Sequence, residues 1–111
     1  MKNGEIWLVT FSPSIGDEIQ KTRPAVVISN DKVGGLDLRI VAAITDGIKY
    51  SQPWHIRVSP SATNGLRKES LVDCFQIKCH STQRFRKKIG ILSARDMDAV
   101  KGCIAGVLDL L

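Results

Sequence analysis

The sequence has no apolar run approaching the ~20 residues that cross a bilayer,. Nor does its N-terminus carry a basic-then-apolar segment of signal type. Both absences argue against a membrane protein and a secretory leader, and lead to the expectation of a cytoplasmic protein that starts folding at its first residues. There are three cysteines, Cys74, Cys79 and Cys103, and no CxxC pair. An odd count argues against a full disulfide framework. Cys74, Cys79 and His80 stand close together, but the two cysteines differ by an odd number. On one continuous strand they would face opposite sides. No further histidine cluster completes a four-ligand site, so no metal and no cofactor is expected and the thiols read as buried or idle. Repeats, linkers and low-complexity blocks are also missing, which makes residues 1–111 a single domain able to bury one core.

What is present is an ordinary globular composition, 43% apolar and 24% charged, with a net charge of +5,. The positive excess points toward a polyanionic partner, although many basic domains bind none. "GEIWLVTF" reads as a first strand with both faces largely covered. "SPSIGDEIQKT" follows, a loop of about eleven residues marked by Pro13 and Gly16, longer than a simple hairpin needs. "RPAVVISN" is a second strand, "DKVGG" turns the chain, and "LDLRIVAAIT" is a third strand ended by Gly47. "WHIRVSP" supplies a fourth, with Trp54, Ile56 and Val58 on one face and His55 and Arg57 on the other. "SATNGLRKE" is a polar loop with an Asn-Gly turn signal, "SLVDCFQIKC" a fifth strand, and "STQRFRKK" a basic, short helical turn before "IGIL".

Ser93 and Asp96 suit a helix N-terminus. Met97, Val100, Ile104, Val107, Leu108 and Leu111 then recur at three and four, so this stripe packs a helix on the sheet. Gly102 and Gly106 are either close-packing points in that helix or simple weaknesses costing about 1 kcal/mol each against alanine. Many short strands followed by one helix predict a mainly β fold, a small, strongly bent antiparallel sheet or barrel with a C-terminal α-helix. Function in such folds sits in rim loops.

One residue at that rim stands out. A buried strand needs Ala25, Val26, Val27 and Ile28, but not Arg23. Pro24 is tolerated at a strand start and pushes the preceding residue into extended geometry. Arg23 is therefore held at a strand entrance, and its planar fork matches phosphate oxygens. The competing reading is a surface arginine paired with Asp17 or Glu18. Thr45 ends "RIVAAIT" beside the Asp46-Gly47 turn. Its hydroxyl either donates to a phosphate oxygen or reflects plain β-propensity.

With these residues in hand, the chain resembles the MazF/PemK/Kid family of bacterial toxins nearly end to end. The similarity runs through "GEIWLV", "GDEIQKTRPAVVISND", "IVAAIT", "ESLVDCFQI" and "IGILSARDMDAV", in order and at matching spacing. It implies an SH3-like β-barrel with a C-terminal helix, assembled as a homodimer. It further implies metal-independent cleavage of single-stranded RNA at short motifs, leaving a 2′,3′-cyclic phosphate and a 5′-hydroxyl. A cognate antitoxin would block the RNA groove with an extended acidic peptide. By correspondence, Arg23 and Thr45 are catalytic. Asp17, Glu18, Lys21, Asp46, Lys49, Asp73, Phe75 and Gln76 bind RNA or support the site.

The chain also departs from the family. Asp46 stands where many relatives have a small hydroxyl residue, Asp17 where some have histidine, Phe75 where an acid is usual, and Asp73 where some have arginine. Because Asp73 and Phe75 differ by two, they are expected on one strand face, Asp73 supplying the missing carboxylate and Phe75 a ring for a splayed base. Phe75 reads equally as a core or dimer-contact residue. "QRFRKK" and "GLRKE" suit RNA or a solvated surface. Nothing in the sequence brings His55 and His80 together for acid–base work. Two other classes stay open: a gyrase-binding toxin of similar barrel fold, as in the CcdB proteins, and a catalytically silent barrel that only binds RNA or antitoxin.

Overall fold

A computed structural model describes residues 1–13, 15–19, 21–33 and 36–111. Six strands and one helix follow in the order β1 Glu5–Thr10, β2 Thr22–Val27, β3 Leu38–Thr45, β4 His55–Val58, β5 Ser70–Ser81, β6 Phe85–Ile91 and α1 Ala94–Val107. Asp31–Val33 is a single 3₁₀ turn where the turn after β2 was expected. The Gly34–Gly35 pair of that expected turn lies outside the described residues. Among the described residues, no helix is long and apolar enough to cross a membrane.

The strands form one antiparallel sheet in the order β4-β5-β3-β2-β1-β6. Alternation along the strands feeds two apolar clusters. One contains Ile6, Val26, Ala42, Ile44, Val58, Val72 and Cys74, and is covered by Met97 and Val100 of α1. The other contains Val9, Phe11, Ala25, Val27, Val41, Ala43 and Phe85. Side chains two apart on β2 and β3 thus serve one cluster and their neighbours serve the other, which is why both strands are almost wholly apolar through their centres.

Among the described residues, strand pairing does not close the sheet. The segment between β4 and β5 reaches the edge strand β6 instead, where Ile91 N–H donates to the Thr63 carbonyl at 2.9 Å. Two glycines allow this approach. A Cβ on Gly90 would stand 2.5 Å from the Asn64 carbonyl, and one on Gly65 would stand 2.3 Å from the Ile89 carbonyl oxygen. Gly65 also has φ 68°, a left-handed conformation that costs other residues roughly 1–2 kcal/mol,. Asn64, almost fully buried, knits the segment: its Oδ1 accepts from Ser61 N–H (3.0 Å) and Leu66 N–H (2.9 Å), and its Nδ2 donates to Ser59 O (2.9 Å). The Asn-Gly signal therefore marks the seam of a barrel-like fold.

Several expectations need correction. "FRKK" is the first half of strand β6, and the helical turn before it is only Thr82–Arg84. The helix begins as expected, with Ser93 Oγ accepting from Asp96 N–H at 3.1 Å. It ends at Val107, however, and Leu111 lies beyond it, 92% exposed. Gly102 and Gly106 face open space, with nothing within 4 Å of where a methyl group would stand, so they are not close-packing points. Cys74 is buried and Cys79 exposed, and all three thiols are free. Burial pushes the Cys74 thiol up in pKa, and the neighbouring Cys103 thiol adds to it.

The largest correction concerns β5. Ala42 pairs with Ile77, yet the next residue, Ala43, pairs with Asp73. Cys74, Phe75 and Gln76 are thus extra residues, a bulge that breaks the two-residue repeat. Asp73 turns inward and is buried, whereas Phe75 is 65% exposed. They do not present side by side on one face, because the pleat that would align them is interrupted between them.

Candidate active site

Strands β2 and β3 pair Val27 with Val41, Val26 with Ala42 and Ala25 with Ala43. Arg23 and Thr45 each lie two residues beyond the last of these pairs, and both line the same pocket. The ladder stops at Ala25, where Pro24 has no N–H to contribute, and beyond that point the two strand ends form one wall of a pocket. On its other side β2 continues along β1, pairing Pro24 with Leu8 and Arg23 with Val9, so the backbone that carries the guanidinium is fixed.

The pocket has a volume of about 430 Å³. Leu8, Pro24, Ile44, Leu66 and Ile89 give it an apolar lining, and Arg23, Thr45 and Asp46 line it at the strand ends. Arg67 and Lys68 enter from the segment before β5, and Lys87 and Lys88 from β6. The basic runs "GLRKE" and "QRFRKK" were the only sequence signals for these four cations. From the second run, Arg84 and Arg86 are used elsewhere, on Thr10: Arg84 donates to its carbonyl at 3.2 Å and Arg86 to its hydroxyl at 3.0 Å.

Two of the lining cations are matched by carboxylates. Lys68 Nζ lies 3.1 Å from Asp46 Oδ2, and Lys88 Nζ lies 3.0 Å from Glu5 Oε2. The hydrogen bond from Lys68 holds the Asp46 carboxyl below its usual range, helped by the charges of Lys68 and Arg23. Burial works to raise the Glu5 pKa, but hydrogen bonds from Lys2 N–H and Trp7 Nε1 (3.0 Å each), with Lys88, outweigh it and hold it at about 2. Among the described residues, Arg23, Arg67 and Lys87 make no ion pair. In particular, Arg23 does not pair with Glu18. That carboxylate is taken by Lys78 of β5 and accepts from Ile15 N–H at 3.0 Å, and the Lys78 hydrogen bond lowers its pKa.

A second group of the predicted residues lies outside the pocket lining. Residues 17–19 of the loop before β2 meet β5, where Gln76 Nε2 donates to Asp17 O at 2.9 Å and Gln76 Oε1 accepts from Ile19 N–H at 3.3 Å. Asp73 Oδ1 accepts from Phe75 and Gln76 N–H at 3.0 and 3.1 Å, and its Oδ2 lies 3.3 Å from His55 Nε2. Lys21 closes the loop with φ 65°, and its carbonyl accepts from Phe11 N–H at 2.8 Å. Phe75 stands in an edge-to-face contact with Trp54, with ring centroids 5.8 Å apart. Lys49 sits 5.1 Å over the Tyr50 ring, away from the pocket lining. Neither histidine lines the pocket. His80 is buried with Nε2 unpartnered among the described residues, and burial, then the charges of Arg84 and Lys78, hold its imidazole below the usual pKa. No three His, Cys, Asp or Glu side chains converge among the described residues.

An arginine fork and an alcohol on facing strand ends, over an apolar hollow ringed by cations, suit a phosphodiester with a base attached. Comparison with known proteins points the same way. The family described as PemK-like, MazF-like toxin of type II toxin-antitoxin system matches residues 2–108. Endoribonuclease MazF9 of Mycobacterium tuberculosis is 32% identical, with 99% of this chain and 98% of that protein covered. Endoribonuclease EndoA of Bacillus subtilis is 33% identical over 90% of this chain and 87% of its own. Among solved structures, MazF from Deinococcus radiodurans superposes with a TM-score of 0.82 at 20% identity, covering 98% of this chain and 96% of that one. An endoribonuclease bound to its cognate antitoxin, from a mycobacterial species, gives a TM-score of 0.81 at 13% identity, covering 100% and 97%. These likenesses extend over whole chains, and the protein belongs to the PemK-like, MazF-like toxins of type II toxin–antitoxin systems.

Proposed function

We propose that the protein is the toxin of such a pair and acts in the cytoplasm as an endoribonuclease on single-stranded RNA. The observation that supports this reading is the pocket that Arg23 and Thr45 line together with four further cations. In the reaction a ribose 2′-hydroxyl gives up its proton and attacks the adjacent phosphorus, the bond to the 5′-oxygen of the next nucleotide breaks, and that oxygen takes up a proton. A 2′,3′-cyclic phosphate and a 5′-hydroxyl remain. Negative charge grows on the non-bridging oxygens, where the Arg23 fork and the Thr45 hydroxyl donate more strongly than in the ground state. A guanidinium only donates, so the roles of Arg23 are charge neutralisation and a hydrogen bond toward the leaving oxygen. Glu18 and Gln76 support the loop that leads to Arg23, and Phe75 offers an exposed ring for a base.

The same reading includes a homodimer and a cognate antitoxin. Large apolar side chains lie exposed on β3, at Leu38 and Ile40, and after α1, at Leu110 and Leu111. Such side chains suit a second copy. An extended acidic peptide fits the cationic pocket lining. Light scattering reads the oligomeric state directly.

The deciding experiment incubates purified protein with a long single-stranded RNA in excess EDTA, beside the Arg23→Ala variant. Cutting at a short recurrent motif is expected, reduced roughly 10²–10³-fold or more in the variant. Intact RNA with gyrase inhibition would replace this reading with that of a gyrase-binding toxin. Tight RNA retention without cutting would make the protein a silent barrel.

A further inference from the structure

The bulge in β5 and the loop before Arg23 are one mechanical unit. Asp73 Oδ1 gathers the N–H groups of Phe75 and Gln76 at 3.0 and 3.1 Å, the two donors that the broken ladder leaves without strand partners,. His55 steadies the other oxygen. Its Nδ1 accepts from Gln52 N–H at 3.0 Å, which leaves Nε2 as the N–H that faces Asp73 Oδ2 at 3.3 Å. With the bulge held this way, the Gln76 carboxamide meets the loop backbone twice, at Asp17 O and Ile19 N. Lys78, one strand repeat further on, takes Glu18. Three consecutive loop residues are therefore fastened to β5 from some sixty positions away in sequence. The loop then reaches β2 through Lys21, a non-glycine residue at φ 65° that stays in that conformation only when its surroundings fix it,.

We propose that Asp73 is a positioning residue: through the bulge it aims Gln76 at the loop backbone, and this clasp holds the 15–19 segment that delivers Arg23 to the pocket. The inference rests on the endoribonuclease reading for its effect on rate, but not for its effect on the loop. It also separates Asp73 from acid–base work. Both of its oxygens are engaged, and it does not line the pocket.

The test uses the full chain without RNA first. Hydrogen exchange of the backbone in 15–19 is measured for the wild type, Gln76→Ala, Gln76→Glu, Asp73→Ala and Asp73→Asn. Faster exchange confined to the loop is expected in both alanine variants. Asp73→Asn keeps an oxygen for the two N–H groups but turns an amide N–H toward His55 Nε2–H, and Gln76→Glu keeps the acceptor for Ile19 N–H but loses the donor to Asp17 O, so each recovers only part of the protection. RNA cleavage should follow, with kcat down about tenfold to a hundredfold in Gln76→Ala, KM little changed, and the rate lost in Asp73→Ala restored in part by asparagine. Wild-type exchange in Gln76→Ala would overturn the proposal, as would wild-type exchange of the loop in Asp73→Ala. If Asp73→Ala does not fold, the glutamine pair still decides, because Gln76 is not part of the core. A wild-type protein that cuts no RNA would remove the proposed function while leaving the exchange result to judge the clasp.

Discussion

Replacing Asp46 with asparagine should make RNA binding tighter and more salt-sensitive. Five cations line the pocket, Arg23, Arg67, Lys68, Lys87 and Lys88. Lys68 is held by Asp46 at 3.1 Å and Lys88 by Glu5 at 3.0 Å, so three remain unpaired. Asp46 is fully ionised at neutral pH, because Lys68 and then Arg23 keep its pKa below the ordinary value. An RNA phosphate approaching Lys68 must therefore displace a carboxylate that occupies the same donor. The asparagine variant frees one cation for one more phosphate. For single strands each contact steepens the dependence of log K on log salt by about 0.7. Referred to 1 M salt, that amounts to binding about eightfold tighter at 50 mM and about threefold tighter at 200 mM. A single-stranded analogue without the 2′-hydroxyl, titrated at four salt concentrations, reads affinity and slope without cleavage. The slope should steepen by one contact. An unchanged slope with unchanged affinity would mean that Lys68 is not at a phosphate. Weaker binding would mean that Asp46 holds Arg23 in place rather than masking Lys68.

Two further outcomes concern stability. Gly102 and Gly106 have room for a methyl group, so Gly102→Ala and Gly106→Ala should each raise stability by about 0.5–1 kcal/mol, seen as a higher midpoint in urea with the same slope,. Glu5 contributes in a pH-dependent way. Its folded pKa, about 2, lies below its ordinary value of 4.5, so the folded state favours the carboxylate. That stabilisation is complete above the ordinary value and is lost as pH falls from about 4.5 to 2,. Glu5→Gln should cost about 1 kcal/mol at neutral pH, allowing for screening at the exposed Lys88 end, and should flatten thermal stability against pH in that acidic window. A variant with an unaltered acid profile would count against the assignment.

Much of this could be read along the chain. β1 and β3, most of β5 and the capped start of α1 follow from local alternation, turn residues and a side-chain cap, all of which act within a few residues. The placement of Arg23 is also local, since Pro24 fixes the geometry of its neighbour. Periodicity failed where pairing with a distant strand overrode it. The β5 bulge is invisible in "SLVDCFQIKC", because only the partner strand β3 reveals that Ala42 and Ala43 skip from Ile77 to Asp73. The same cause hid the roles of Asp73, Gln76 and His55, which depend on the hydrogen bonds that the bulge leaves unmade.

Along the chain alone one could read the segments of β1 to β5, the start of the helix, and the arginine beside a proline at a strand entrance. These depend on backbone sterics and short-range periodicity. Only the tertiary structure brought Thr45 and Arg23 to one pocket, lined that pocket with four lysines and arginines from two distant segments, and let the β4–β5 segment close against β6 at Gly65 and Gly90. Such relations are set by strand register and by contacts between segments far apart in the chain, and the cost of a clash or an unpaired N–H appears only when those segments meet.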